Sequence, residues 1–281
     1  MLLNLDPNFN PNPDKELIQF ESFTFKGGEP HIKINSDLSE VKEVTISHRI
    51  QSFNDLGLFL LAVDAVKRMG VNSIKAILPY FPAARQDRIM VSGESFSLKV
   101  YADLINACNL KEVIIYDAHS DVTPALINNS KALSNHSFIK KVIDSLGKEV
   151  VLISPDGGAL KKIYKLASEL QEYEVIECSK SRDVKTGKLS GFKVYEEDLG
   201  GKDLLIVDDI CDGGGTFLGL AKELKRKNAG KIYLAVSHGI FSKGFENLTE
   251  YFDHIYTTDS FKDFPDTSSF TQIKLNDGII R

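Results

Sequence analysis

An apolar run, a segment with helical spacing and a second apolar run occur twice in this chain in the same order, and that repetition confines it to alternating α/β architecture. Residues 44–47, 56–69 and 74–78 read as strand, helix and strand; residues 204–207, 217–227 and 232–236 give the same order roughly 160 positions later. Short continuous apolar runs suit strands buried on both faces of a parallel sheet, with the intervening helices as cover. The pattern predicts two similar domains, each a mainly parallel sheet flanked by helices. Further strands are expected at 113–116, 150–153 and 174–176, and the polar run 128–135 marks the boundary, giving domains 1–132 and 133–281. A chain of 281 residues, 42% hydrophobic, can bury two cores of this size.

Only the second copy carries a glycine loop. Residues 204–216 read L-L-I-V-D-D-I-C-D-G-G-G-T, so a strand of residues 204–207 runs into Asp208, Asp209 and Asp212 and then a turn before the helix. Gly213, Gly214 and Gly215 let the backbone aim successive N–H groups, aided by the helix dipole, at an anion, and Thr216 adds a hydroxyl. A sugar phosphate fits this pattern: phosphate on the loop, vicinal ribose hydroxyls donating to Asp208 and Asp209 directly or through Mg²⁺. The plainer alternatives are an ordinary strand-to-helix connection with Asp212 as a helix cap. Neither G-x-x-x-x-G-K-[ST] nor G-x-G-x-x-G is present here, Leu218 standing where the latter needs glycine. In the first copy the equivalent turn is Ser52, Phe53, Asn54 and Asp55, suited to packing or an interface.

Other polar groups fall at strand ends, where open α/β sheets bind ligands. Residues 79–88, P-Y-F-P-A-A-R-Q-D-R, place Arg85 and Gln86 to grip a polyphosphate or a base; the alternative is a solvated loop with an Arg–Asp pair. Asp117 and His119 follow the 113–116 strand and Asp156 follows 150–153. A His and an Asp with substrate phosphates suffice for Mg²⁺, although a lone histidine is more often structural. C-S-K-S-R-D after the 174–176 strand reads as a mobile loop carrying Lys180 and Arg182, either solvated surface or a lid on a transferring phosphate.

The net charge of −5 argues against a nucleic-acid surface, although Lys161, Lys162 and Lys165 offer a local cluster for anionic substrates. Cys108, Cys178 and Cys211 are too few and too scattered for a disulfide framework or a metal set, which suits a reducing cytoplasm. No stretch has the apolar length of a membrane span, and no signal peptide is expected.

The ordered set Y-F-P-A-A-R-Q-D-R, S-G-E-S-F-S-L-K, D-A-H, S-P-D-G-G, K-S-R, V-D-D-I-C-D-G-G-G-T and S-H-G-I-F-S resembles the ribose-phosphate diphosphokinase (phosphoribosyl pyrophosphate, PRPP, synthetase) family, a resemblance that runs over about residues 25–259. The resemblance implies two phosphoribosyltransferase-type domains and the reaction of ATP with ribose 5-phosphate to give PRPP and AMP. It implies ATP binding by Phe25, Gly27, Glu29, Arg85 and Gln86, Mg²⁺ held by His119 and Asp156, and catalysis by Lys180 and Arg182. Ribose 5-phosphate would be held by Asp208, Asp209, Asp212, Gly213, Gly214, Gly215 and Thr216. It also implies a homo-oligomer, dimer or hexamer, whose neighbouring subunit completes the ATP site. Three motifs depart from the family pattern: F-K-G-G-E replaces F-S-D-G-E, Gly213 replaces Ser or Thr, and Ala159 replaces the last glycine of D-x-G-G. A phosphoribosyltransferase would share the glycine loop but not need the repeated first half, and a noncatalytic regulatory relative would be expected to lose Lys180, Arg182, His119 or Asp156.

Overall fold

The computed structural model describes residues 1–170, 173–182 and 189–276, with residues 181, 182, 189 and 190 described by backbone alone. The chain divides into two compact units, Met1–Ser134 and Asn135–Lys274, with Leu275 grouping with the first.

The first unit runs β1 (Leu2–Asn4), β2 (Phe20–Thr24), β3 (Pro30–Ile34), β4 (Glu43–Ser47), α1 (Phe53–Arg68), β5 (Ser73–Leu78), α2 (Ser97–Asn106), β6 (Glu112–Tyr116), α3 (Val122–Leu126) and β7 (Ser130–Leu133). Its parallel sheet has the order β1-β4-β5-β6-β7, and β2 and β3 form a separate antiparallel hairpin. Val44, Ile46, Ile74, Ala76 and Leu78 meet Leu56, Phe59, Val63 and Val66 of α1 in one core, which is why these short apolar runs become strands and the 3.6-residue spacing becomes a helix.

The predicted turn at Ser52–Asp55 is instead the start of α1. Ser52 caps the helix by accepting from the Asp55 N–H at 3.2 Å, and the Asp55 carboxylate accepts from the Ser52 N–H at 2.8 Å. This reciprocal box satisfies donors that the first helical turn leaves open, typically by about 1 kcal/mol, so the segment is a helix start rather than a ligand loop.

The second unit runs α4 (His136–Leu146), β8 (Val151–Ser154), α5 (Leu160–Glu169), β9 (Val175–Arg182), β10 (Leu189–Val194), β11 (Leu204–Cys211), α6 (Gly215–Arg226), β12 (Ile232–Gly239), β13 (His254–Thr258) and β14 (Phe270–Ile273). The sheet order is β10-β9-β8-β11-β12-β13-β14, parallel except for the β9–β10 pair. From β8 the chain proceeds to one side and from β11 to the other, so strand order reverses between them, and ligands of open α/β sheets bind at such a reversal. The first sheet has no corresponding reversal among its described strands.

Two expected boundaries change. β11 continues through Asp208 and Asp209 because its ladder with β12 runs on to Cys211↔Gly239, whereas its ladder with β8 stops at Ile206↔Ile153. β9 continues through Lys180 and Arg182, so both lie in a strand and not on a loop. The antiparallel partner β10 carries the ladder, and Ile176 and Cys178 turn inward. The remainder of the expected loop, 183–188, lies outside the described residues. Cys108, Cys178 and Cys211 are buried free thiols, and burial pushes Cys178 up to about 12.

Candidate active site

The reversal between β8 and β11 gathers most of the expected groups of the second unit. Once β8 pairing ends at Ile206, β11 leaves one edge open beside Asp208 and Asp209. Asp209 is buried, and its N–H donates to the Asp208 carboxylate at 2.9 Å. Burial of the Asp208 carboxyl and then the adjacent Asp209 charge push Asp208 well above the ordinary carboxylate range, Asp156 adding in the same direction. Such crowded acids favour the arrival of cations or hydroxyl donors. Lys162 of α5 already lies 3.6 Å from Asp209, a partner its place in a lysine run did not single out.

The anion loop follows directly. Gly214 caps α6 with φ +73°, a conformation that L side chains rarely adopt, and a Cβ there would stand 3.1 Å from Leu248 Cδ2. Gly215 and Thr216 open the helix, so their N–H groups are among those its first turn leaves for a ligand. The S-H-G-I-F-S-K segment supports the loop: the Phe241 N–H donates to the Cys211 carbonyl at 3.1 Å and the Ser242 N–H to the Asp212 carbonyl at 3.2 Å. Lys243 brings its Cδ and Cε to 3.7 Å from where a Cβ on Gly213 would stand. Lys243 carries a cation to the glycine loop that the sequence reading missed, because it lies one residue past a motif with no assigned chemistry.

Asp156 sits at the end of β8. One carboxylate oxygen accepts from the N–H groups of Gly158 at 2.8 Å and Ala159 at 3.2 Å, which shapes the turn into α5; the other is ion-paired with Lys180. The strand position of Lys180 thus puts a half-buried ammonium on a predicted metal ligand. Arg182 ends β9 opposite Leu189, and its side chain lies outside the described part.

In the first unit, Arg85 and Gln86 are exposed just beyond β5. Between them and Arg88, Asp87 is buried and held at about 2, first by hydrogen bonds from Arg88 at 2.8 and 3.1 Å, with the His119 charge acting in the same direction. Asp87 therefore ties the A-R-Q-D-R segment electrostatically to half-buried His119. A carboxyl depressed from 3.8 stabilises the fold above its ordinary value and loses that contribution as pH falls toward 2. Urea midpoints of the parent and Asp87→Asn are expected to differ fully at neutral pH and to converge between about pH 4 and pH 2.

Phe25, Gly27 and Glu29 form the tip of the β2–β3 hairpin. The Phe25 N–H donates to the Glu29 carbonyl at 2.8 Å and the Gly28 N–H to the Phe25 carbonyl at 2.9 Å. Phe23 and Phe25 are half-exposed, 4.8 Å apart edge to face, with His31 packed on both. A Cβ on Gly27 would lie 2.5 Å from Glu29 Oε2, so the Glu29 carboxylate occupies the space of a residue-27 side chain.

Backbone strain marks the same loops. Among the described residues, the non-glycine positions with positive φ other than asparagine are Ala83, Asp117 and Phe241, in the P-A-A-R-Q-D-R, D-A-H and G-I-F-S segments. Asparagine and aspartate tolerate this region, whereas Ala and Phe hold it only where surrounding structure requires it. The structure thus brings Asp156, Lys180, Asp208, Asp209 and the 212–216 loop together in one unit, and Arg85, Gln86, His119 and the hairpin tip belong to the other.

Comparison with known proteins gives the same division. Residues 10–108 match the N-terminal domain of ribose phosphate pyrophosphokinase and residues 127–267 the phosphoribosyl transferase domain. The chain is 33% identical over 222 residues to ribose-phosphate pyrophosphokinase of Mycoplasma pneumoniae, covering 78% of this chain and 67% of the relative. Against the Thermococcus kodakarensis enzyme of the same name identity is 29%, with 89% and 88% covered. The crystal structure of phosphoribosylpyrophosphate synthetase from Mycobacterium smegmatis superposes with a TM-score of 0.80 over 95% of this chain and 89% of that one; at 23% identity this concerns the fold. With two phosphoribosyltransferase-type units, an acid pair and glycine loop at the strand-order reversal, and this similarity along most of its length, the chain belongs to the ribose-phosphate pyrophosphokinase family.

Proposed function

We propose that this chain transfers the β,γ-diphosphoryl group of ATP to the C1 hydroxyl of ribose 5-phosphate, giving PRPP and AMP. The observation that carries this reading is the juxtaposition, at one strand-order reversal, of an anion loop, two adjacent carboxylates and a lysine on the neighbouring strand pair. The loop 213–216 takes the 5-phosphate, with Lys243 beside it. Asp208 and Asp209 accept from the ribose hydroxyls and orient the sugar. The C1 oxygen attacks the β-phosphorus; its new O–P bond forms as the bond from that phosphorus to the α,β-bridging oxygen breaks, and the oxygen leaves with AMP. Such transfer needs positioning and charge neutralisation more than covalent catalysis, which suits Lys180 and Arg182 as cations at the transferring group.

The donor set fits Mg²⁺. Mg²⁺ binds through few carboxylates together with substrate phosphates and water, which the strand-end carboxylate of Asp156 suits. One Asp156 oxygen is paired with Lys180, which supports reading this carboxylate as a cation acceptor. Asp156 would be a ligand of the ion, which would supply neutralisation of phosphate charge when bound, and His119, in the first unit, is the other ligand the family resemblance implies.

Arg85 and Gln86 contact ATP, and Phe25 stacks on its base at the hairpin tip, supplied by a neighbouring subunit of a homo-oligomer. Glu29 fills the space an acid at position 27 would occupy, so it accepts from the adenine amino group in place of that acid. Glu29→Gln is expected to lower the ATP/GTP ratio in kcat/KM by about tenfold, whereas Gly27→Asp, whose carboxylate must compete with Glu29, leaves it within roughly threefold. Steady-state kinetics with both nucleotides checks this. No helix among the described residues is long and apolar enough to cross a membrane, and the three buried thiols suit a cytoplasmic setting. The reading is tested in reverse: PRPP and AMP should yield ATP and ribose 5-phosphate. A phosphoribosyltransferase would instead convert PRPP and a free nucleobase to a nucleotide.

A further inference from the structure

Gly219 lies in the interior of α6, where glycine is less favourable than alanine. Its missing side chain has an occupant. A Cβ on Gly219 would stand 2.2 Å from Phe192 Cε2, 2.8 Å from Cδ2 and 3.0 Å from Cζ, so the ring lies in the notch against the bare helix backbone. Phe192 belongs to β10, the sheet's edge strand, whose ladder is with β9 alone, and in that ladder Phe192 stands directly opposite Lys180. Opposed residues of an antiparallel pair are about 5 Å apart at Cβ, so displacing one displaces the other.

The helix that receives the ring begins at the phosphate loop. Gly219 is one turn beyond Gly215, a separation of about 6 Å along a rigid axis, and Phe217, Leu220, Ala221 and Leu224 bury α6 in the core. Loop, helix, notch, ring and Lys180 therefore form one mechanical chain. We infer that the Phe192–Gly219 contact is a positioning element that fixes Lys180 relative to the phosphate loop. Its effect on turnover rests on the catalytic role proposed for Lys180; the positioning itself does not.

The test is Gly219→Ala, Phe192→Leu and their combination, each compared with the parent in the full chain. Lys180 acylation by an amine-reactive anhydride is read by peptide mass spectrometry, with Lys140 as internal reference, alongside kcat and calorimetric binding of ribose 5-phosphate. In Gly219→Ala the methyl pushes the ring and β10 outward, breaking the Lys180–Asp156 pair. Lys180 acylation rises severalfold relative to Lys140, kcat falls at least about tenfold, as misplacement on the ångström scale does, and ribose 5-phosphate affinity stays within about twofold. Phe192→Leu empties the notch and moves both readouts the same way, which keeps the test decisive if Gly219→Ala fails to fold. The combination returns both toward the parent because the methyl refills vacated space. Unchanged Lys180 acylation in either folded single variant overturns the inference. Shifted acylation together with normal turnover in Lys180→Ala supports the positioning and removes the catalytic role of Lys180 instead.

Discussion

Replacing Lys180 with alanine is expected to lower kcat at least about a hundredfold while ATP and ribose 5-phosphate dissociation constants change only a few-fold. The ammonium is half-buried at the end of β9, paired with Asp156 and beside the reversal that holds the acid pair. A cation so placed interacts more strongly with the spread negative charge of the transferring diphosphoryl group than with either bound substrate, so its loss falls on the transition state. Arg182→Ala is expected to behave alike, being two residues on in the same strand. Single-turnover rates with calorimetric binding separate the two effects. Near-normal turnover in both variants would mean that this strand end is solvated surface, and a uniform loss of binding would make the pair substrate ligands only.

Gly214→Val is expected to raise the ribose 5-phosphate KM by roughly ten- to a hundredfold, the loss of one or more charge-assisted hydrogen bonds, with ATP KM within a few-fold. Two independent strains act at that position. A β-branched residue resists the φ of +73°, and its Cβ would stand 3.1 Å from Leu248. Relief requires the loop to move, and its N–H groups then no longer converge. Asp208→Ala raises the same KM by a different route, removing a hydroxyl acceptor and relieving the crowding that pushes the acid pair upward. Steady-state kinetics varying each substrate measures both. An unchanged ribose 5-phosphate KM in both variants would place the sugar phosphate elsewhere.

Periodicity made the α/β architecture and its repetition legible, because buried parallel strands and amphipathic helices write different spacings into the chain. Strand ends were less legible. Asp208 and Asp209 look like loop residues, yet the β11–β12 ladder carries the backbone through them, and their carboxyls tolerate a strand because pairing with β8 has already ended. Polar S-K-S-R misled in the same way: the ladder with β10 carries the backbone through it, although Lys180 and Arg182 continue the alternate series of Ile176 and Cys178. Ser52 and Asp55 were individually visible, but their reciprocal capping depends on a geometry that spacing alone leaves open. Asp156, Lys180, Asp208, Asp209 and the 212–216 loop, which share one unit, were visible in the order of their motifs. Lys162, Lys243, Asp87 and the Phe192–Gly219 contact were not, since each gains its meaning from a partner far away in sequence.

The most direct test is ³¹P NMR of the untouched protein with ATP, ribose 5-phosphate and Mg²⁺. The account predicts AMP and PRPP accumulating in equal amounts, with no ADP, and no ATP consumption when ribose 5-phosphate is omitted. ADP with a singly phosphorylated C1, or ATP left intact while all three components are present, would contradict it.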